Sequence, residues 1–196
     1  EQFSLIGTRY DDHADITARI LGFDGGAGSD RIDLKLSSAL GDIVLDLTVA
    51  DRQLVYGGMW MRGVERVEDV ATGAGDDIIR LGSTLLTDND NNHISAGAGQ
   101  DQFVGDFSAF APTSGNTGIR FHSVRADWQV LSGPDGQAVA ELHDFESYVL
   151  TGTAYQDQLL GGDPNDSFDG GGANDVLKGG GGDDVLQGGA GDDAID

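Results

Sequence analysis

Five aspartates stand nine residues apart, at Asp157, Asp166, Asp175, Asp184 and Asp193, each the sixth residue of a nonapeptide. The units run without a gap from Gly152 to Asp196, as GTAYQDQLL, GGDPNDSFD, GGGANDVLK, GGGGDDVLQ and GGAGDDAID. Carboxylates in fixed register are hard oxygen donors, and a coiled chain stacks them within about 4.8 Å to 10 Å of one another. Like charges at that spacing resist folding, and this stretch holds ten Asp against a single base, Lys178. The chemistry open to such an array is chelation of a hard divalent cation in an all-oxygen shell, which makes calcium the expected ligand.

Around the carboxylates, each G-G-x-G opens a tight turn, because glycine enters positive φ cheaply and lets backbones approach closely. The residues after it, such as Asp184-Val185-Leu186, form a short strand whose alternation points the eighth place inward. That place is apolar in every unit: Leu159, Phe168, Leu177, Leu186 and Ile195. Ordering nine residues costs about 1–2 kcal/mol each, whereas burying one leucine contributes only about 1.5–3 kcal/mol. The coil therefore needs the ion as well as its apolar stripe.

The pattern occurs twice more. Gly25-Gly26-Ala27-Gly28-Ser29-Asp30 is a complete unit, and Asp12 lies 18 residues before Asp30. A middle copy runs from Thr72-Gly73-Ala74-Gly75-Asp76-Asp77 to Ala96-Gly97-Ala98-Gly99-Gln100-Asp101, with Asp77 and Asp101 24 apart through a six-residue insertion. Its intermediate unit carries Asn92 at the sixth place. Fewer metal sites are expected in these two copies than in the last. Between copies lie apolar runs suited to antiparallel strands: Ile43 to Val49, then Leu54-Val55-Tyr56 and Met59-Trp60-Met61 about a Gly57-Gly58 turn. The second intervening region has Ile119-Arg120-Phe121, Trp128 to Leu131, and Ala138-Val139-Ala140 about Pro134-Asp135-Gly136. Each region ends in an acidic segment, Val64-Glu65-Arg66-Val67 or Phe145-Glu146-Ser147-Tyr148.

These units resemble the RTX, or haemolysin-type calcium-binding, nonapeptide repeat, G-G-x-G-x-D-x-U-x with U large and aliphatic. The resemblance implies a parallel β-roll with two nonapeptides per turn and several calcium ions between turns, bound by sixth-place carboxylates and loop carbonyls. It pairs Asp157 with Asp175, Asp175 with Asp193, and Asp166 with Asp184. Carried over residue by residue, it marks Asp12, Gly25, Ala27, Gly28 and Asp30 as metal-site residues in the first copy. In the middle copy it marks Gly73, Gly75, Asp77, Asn92, Gly97, Gly99 and Asp101. In the last it marks Asp157, Gly161, Asp163, Asp166, Gly170, Gly172, Asp175, Gly179, Gly181, Asp184, Gly188, Ala190 and Asp193. The expected fold is all-β, with right-handed parallel β-roll segments separated by antiparallel β linkers: a first roll over 1–36, a linker over 37–70, a second roll over 71–105, a linker over 106–150 and a C-terminal roll over 151–196. This order is similar to the block organisation of RTX toxins and adhesins. It implies a piece of a larger protein, exported unfolded through a type I secretion apparatus and folding in calcium outside the cell or at the bacterial surface.

Composition narrows the alternatives. Thirty-four acidic residues against eleven basic ones give a net charge of −23, which repels phosphate backbones and anionic lipid, so no nucleic-acid partner is expected. Without cysteine there is neither a disulfide framework nor a thiolate metal site. No run approaches the ~18 apolar residues of a membrane span, and residues 1–4 do not begin a Sec-type signal. Asp88-Asn89-Asp90-Asn91-Asn92 imitates the start of an EF-hand loop but lacks its Gly and Glu, so the nonapeptide register accounts for it better. His13, His93, His122 and His143 are dispersed, and neither HExxH nor GxSxG occurs, so no enzyme activity is expected. Trp60 is a candidate contact for a glycan or another surface, with packing on the sheet as its alternative. The competing reading is thus a calcium-rigidified adhesion or glycan-binding module.

Overall fold

The computed structural model describes residues 3–8, 10, 12–17, 20–49, 51–83, 92–112, 115–125, 127–163 and 165–196. Its first strands are β1 (Phe3–Ile6), β2 (His13–Thr17), β3 (Ile20–Asp24), β4 (Arg31–Lys35), β5 (Val44–Asp46), β6 (Gln53–Tyr56), β7 (Met59–Arg62) and β8 (Arg66–Ala71). The middle holds β9 (Ile78–Gly82), β10 (Asn92–Ser95), β11 (Gln102–Asp106), β12 (Thr117–Arg125), β13 (Trp128–Ser132), β14 (Ala138–His143) and β15 (Ser147–Thr151). The last are β16 (Gln156–Leu160), β17 (Ser167–Asp169), β18 (Val176–Lys178), β19 (Val185–Gln187) and β20 (Ala194–Ile195). No α-helix occurs among the described residues, and none is long and apolar enough to cross a membrane.

The chain is a flattened coil with two walls. One is a ten-stranded sheet, ordered β2-β4-β8-β10-β14-β13-β12-β16-β18-β20; the other comprises β1-β3-β7-β6 and β19-β17-β15-β11-β9-β5. Where the nonapeptide register holds, successive strands alternate between walls and pair in parallel with the strand 18 residues away: Ala14 with Ile32, Leu159 with Leu177, Phe168 with Leu186. Two nonapeptides therefore make one turn. Strand alternation sends Leu159, Phe168 and Leu177 inside, each at most 1% exposed.

The regions between repeat copies lengthen turns of this coil without leaving it. The ten-stranded sheet passes through all of them, because β4 pairs with β8 and β10 with β14, both in parallel. In the first, β6 and β7 form an antiparallel hairpin about Gly57-Gly58, and β7 pairs in parallel with β3. In the second, β12, β13 and β14 form an antiparallel meander; β14 meets β10 behind it and β12 meets β16 ahead of it. Three apolar runs linked by tight turns thus occupy adjacent positions in a sheet that is otherwise parallel.

The largest buried side chains gather where the meander meets the last copy. The Phe121 ring lies 4.9 Å from Tyr148 and 5.9 Å from Phe168, and Phe103 meets Phe145 edge-on at 5.7 Å. The Tyr148 hydroxyl donates to the buried Gln129 side-chain oxygen, so burying the phenol leaves no donor wasted. Truncating Phe121 to alanine is expected to destabilise the calcium-saturated protein by about 3–5 kcal/mol in denaturant unfolding. Its exposed neighbour His122, changed to alanine, should stay within about 0.5 kcal/mol of the parent. Equal effects at the two positions would contradict this core.

Candidate metal centres

Each repeat loop is built by backbone rungs first. The third-place N–H donates to the second-place carbonyl one turn back: Ala27 to Thr8 (3.2 Å), Ala98 to Gly73 (2.9 Å), Gly172 to Thr153 (3.0 Å) and Ala190 to Gly171 (3.0 Å). The second place must turn left-handed to do this, with φ of 98° at Gly26, 90° at Gly171 and 95° at Gly189, conformations that favour glycine. Rungs this close set the carboxylates of successive turns one above another.

Those carboxylates form an inner ladder. The N–H of each sixth-place residue donates to Oδ1 of the sixth-place Asp on the next turn: Asp12 to Asp30 (2.8 Å), Asp77 to Asp101 (2.7 Å), Asp157 to Asp175 (2.8 Å), Asp166 to Asp184 (2.9 Å) and Asp175 to Asp193 (2.9 Å). The 18-residue pairings are thus present as contacts. An outer ladder at the fifth place runs the opposite way: Gln100 N–H donates to Asp76, Asp183 to Asn165 and Asp192 to Asn174, at 2.8–3.0 Å. Between them the ladders fix both sides of the loop.

The second oxygen of the inner carboxylates carries the functional argument. Asp30, Asp77, Asp101, Asp157, Asp166 and Asp175 are at most 3% exposed, and Oδ2 of Asp30, Asp77, Asp101 and Asp175 is buried with no hydrogen-bond donor among the described residues. A buried anionic oxygen without a donor is costly unless a cation meets it. Beside it lies a cradle that only a first-place glycine leaves open. A Cβ on Gly152 would stand 2.5 Å from both Asp157 Oδ2 and the Gly170 carbonyl, and one on Gly170 would stand 2.5 Å from Asp175 Oδ2 and 2.6 Å from the Gly188 carbonyl. Gly7, Gly25 and Gly161 repeat the arrangement with Asp12, Asp30 and Asp166. At Asp12, Asp157 and Asp166 this oxygen also accepts a second-place N–H, from Thr8, Thr153 and Gly162; at Asp30 and Asp175 it has no donor among the described residues. Carboxylate and carbonyl oxygens gathered from adjacent turns suit the all-oxygen shell of calcium.

Electrostatics agree. Burial pushes the carboxyls of Asp101, Asp166 and Asp175 up to about 6, and neighbouring carboxylates push the same way: Asp77 and Glu146 at Asp101, Asp184 at Asp166, Asp157 and Asp193 at Asp175. Burial also raises Asp157, against the N–H groups of Thr153 and Ile119 that hold its anion.

The carried-over residues fall into groups. Asp12, Asp30, Asp77, Asp101, Asp157, Asp166, Asp175, Asp184 and Asp193 all stand in inner ladders. Gly25, Gly161, Gly170, Gly179 and Gly188 face their own Asp, and Gly97 and Gly99 sit against the carbonyls of Gly73 and Gly75. Ala27, Gly172, Gly181 and Ala190 donate the backbone rungs, and Gly28 lies in the same turn with φ of 147°. Asp163 is exposed, in the loop facing Gly181. Asn92 is buried in β10, and its amide donates to the Val139 carbonyl at 2.7 Å, tying β10 to β14. Asp88 to Asn91 lie outside the described residues. Trp60 is half-buried, its ring over Gly22 with the Arg52 guanidinium 4.4 Å from its centre.

Two ladder members were not among the carried-over residues. Glu65 accepts from the Asp30 N–H at 2.9 Å and Glu146 from the Asp101 N–H at 2.8 Å, each taking the next sixth place where the nonapeptide spacing lapses. Their signal was the shared acidic segment at the end of each intervening region. The chain itself matches the RTX calcium-binding nonapeptide repeat (4 copies) over residues 84–108, 149–177 and 169–196. Among curated proteins no match is found.

Replacing Asp175 by Asn keeps an oxygen for the Asp157 N–H and removes the charge. Calcium affinity is expected to fall at least about tenfold, while Asp192→Asn on the outer ladder changes it little; isothermal titration of both variants checks this. A pH dependence follows from the raised carboxyls. Between roughly pH 4 and 6 the ion-free fold holds protons that the unfolded chain has released, so its stability falls as pH rises through that window. Calcium binding releases those protons, so affinity should rise over the same window, and a calcium titration equally tight at about pH 5 and about pH 7 would contradict the ladder as the site.

Proposed function

We propose that this RTX calcium-binding repeat segment is a non-catalytic folding switch, uncoiled where calcium is scarce and coiled where it is plentiful. The observation behind the reading is the set of buried carboxylate oxygens without donors among the described residues, Oδ2 of Asp30, Asp77, Asp101 and Asp175, which occur in all three repeat copies. The sixth-place carboxylates and first-place glycine carbonyls would hold the ions, while the backbone rungs and outer ladder keep those oxygens in register. Bound calcium supplies the positive charge that the inner ladder lacks and joins one turn to the next. With ~1–2 mM ion outside a cell and a site Kd of ~0.1 mM, mass action contributes about 1.5 kcal/mol per site. At micromolar ion the same expression gives almost nothing, and six buried carboxylates then weigh against the coil. That contrast supports a secreted or cell-surface location and export of the uncoiled chain by a type I apparatus.

Far-UV circular dichroism is the direct test. The chain should pass from a coil spectrum in chelator to a β spectrum in millimolar calcium, cooperatively and reversibly. A β spectrum that survives chelation at neutral pH would overturn the switch.

A further inference from the structure

Outside the repeat loops, the exposed face of the ten-stranded sheet carries an imidazole among carboxylates on three adjacent strands. His13 of β2, Asp33 of β4 and Glu68 of β8 each bring one ligand atom within 4.8 Å of the other two. His13 Nε2 lies 3.3 Å from Asp33 Oδ1. A β-bulge makes the meeting possible. Ile32 pairs with Val67 and Leu34 with Val70, so Asp33 faces two residues of β8 and the alternation of that strand slips by one. Glu68 and Asp69 therefore both lie on the outer face between buried Val67 and Val70, re-aimed as bulges commonly re-aim side chains.

Charge at this spot is not balanced by its own bases. Lys35 lies 3.3 Å from Asp15 and 3.7 Å from Asp33, and Arg31 lies 3.1 Å from Glu68. Asp69 also acts on Lys35, so among the described residues four carboxylates share these two cations. The Asp33 side chain is only a tenth exposed although it lies on the outer face. One imidazole and two carboxylates form a donor set unlike the all-oxygen cradles: nitrogen favours zinc over calcium. Zinc bonds of about 2.0–2.2 Å set tetrahedral ligands about 3.3–3.6 Å apart, a spacing that His13 and Asp33 already have.

We propose that His13, Asp33 and Glu68 bind a divalent transition ion of the zinc class, with Arg31 orienting Glu68 and a fourth position left to water. The ion clasps the edge strand β2 to β4 and β8, fastening the first copy by a device separate from its calcium ladder.

The test is a zinc titration of the full chain in saturating calcium, with cobalt(II) absorption as the reporter of imidazole and carboxylate coordination. One zinc per chain is expected, raising the thermal midpoint. His13→Gln and Glu68→Gln should each weaken it at least tenfold and abolish the zinc-dependent rise, while the calcium-induced β spectrum is retained. His122→Gln, an exposed side chain on β12, should leave zinc binding unchanged. The site is overturned if calcium-saturated protein takes up no zinc, if His13→Gln binds as the parent does, or if affinity is lost only in His93→Gln or His143→Gln.

Discussion

The carboxylate that bridges one turn to the next is the contact on which the rest of this structure depends. At Asp175, Oδ1 receives a backbone N–H from the preceding turn, while the buried Oδ2 has no donor among the described residues and lies beside the Gly170 cradle and the Gly188 carbonyl. A hydrogen bond to an ionised acceptor is worth roughly twice a neutral one, but it satisfies only half of this group. The remaining half needs a cation, so local geometry and ion dependence arise from the same atoms.

Holding that contact sets strict terms on the chain. Two nonapeptides must close a turn, or the next Asp misses the N–H it serves. Where the spacing lapses, the ladder is restored by other residues: Glu65 and Glu146, whose longer side chains reach back over irregular loops, and Asp77, which meets Asp101 across a 24-residue turn. Extra chain is accommodated at the strands instead, as a hairpin in one wall and a meander in the other. Loop length adds little entropic cost per residue, whereas a ladder out of register would leave a buried charge and a buried N–H both unmet.

Legibility in the sequence followed this division. Asp at the sixth place and an apolar residue at the eighth were readable because identical local chemistry repeats at a fixed period, and the 18-residue pairings came with the resemblance. The hairpin at Gly57-Gly58 and the strands flanking Pro134 to Gly136 were readable as runs and turns. That β12 and β14 would each join the main sheet was not, since strand neighbours are set by non-local pairing. Asn92 occupies a sixth place by count and lies in β10, where its amide meets the Val139 carbonyl, a contact set by non-local pairing that spacing alone does not show. The bulge at Glu68 and Asp69 shows only when Asp33 is seen opposite them, so the dispersed histidines gave no hint that His13 would join two carboxylates.

The excess of acid therefore serves two different purposes on one chain. Carboxylates on the outer face stand beside bases: Asp24 with Arg62, Asp15 with Lys35, Asp196 with Lys178, and their carboxyls are held below the ordinary range by those partners. Such exposed pairs contribute little to stability, and the chain folds or fails to fold without regard to them. Inner carboxylates are buried and pushed the other way, up to about 6 at Asp101, Asp166 and Asp175, because water is gone and like charges are near. If lysine or arginine met these oxygens from within the chain, the coil would lose its reason to respond to calcium. Among the described residues no base meets Oδ2 of Asp30, Asp77, Asp101 or Asp175, which is the condition the proposed switch requires.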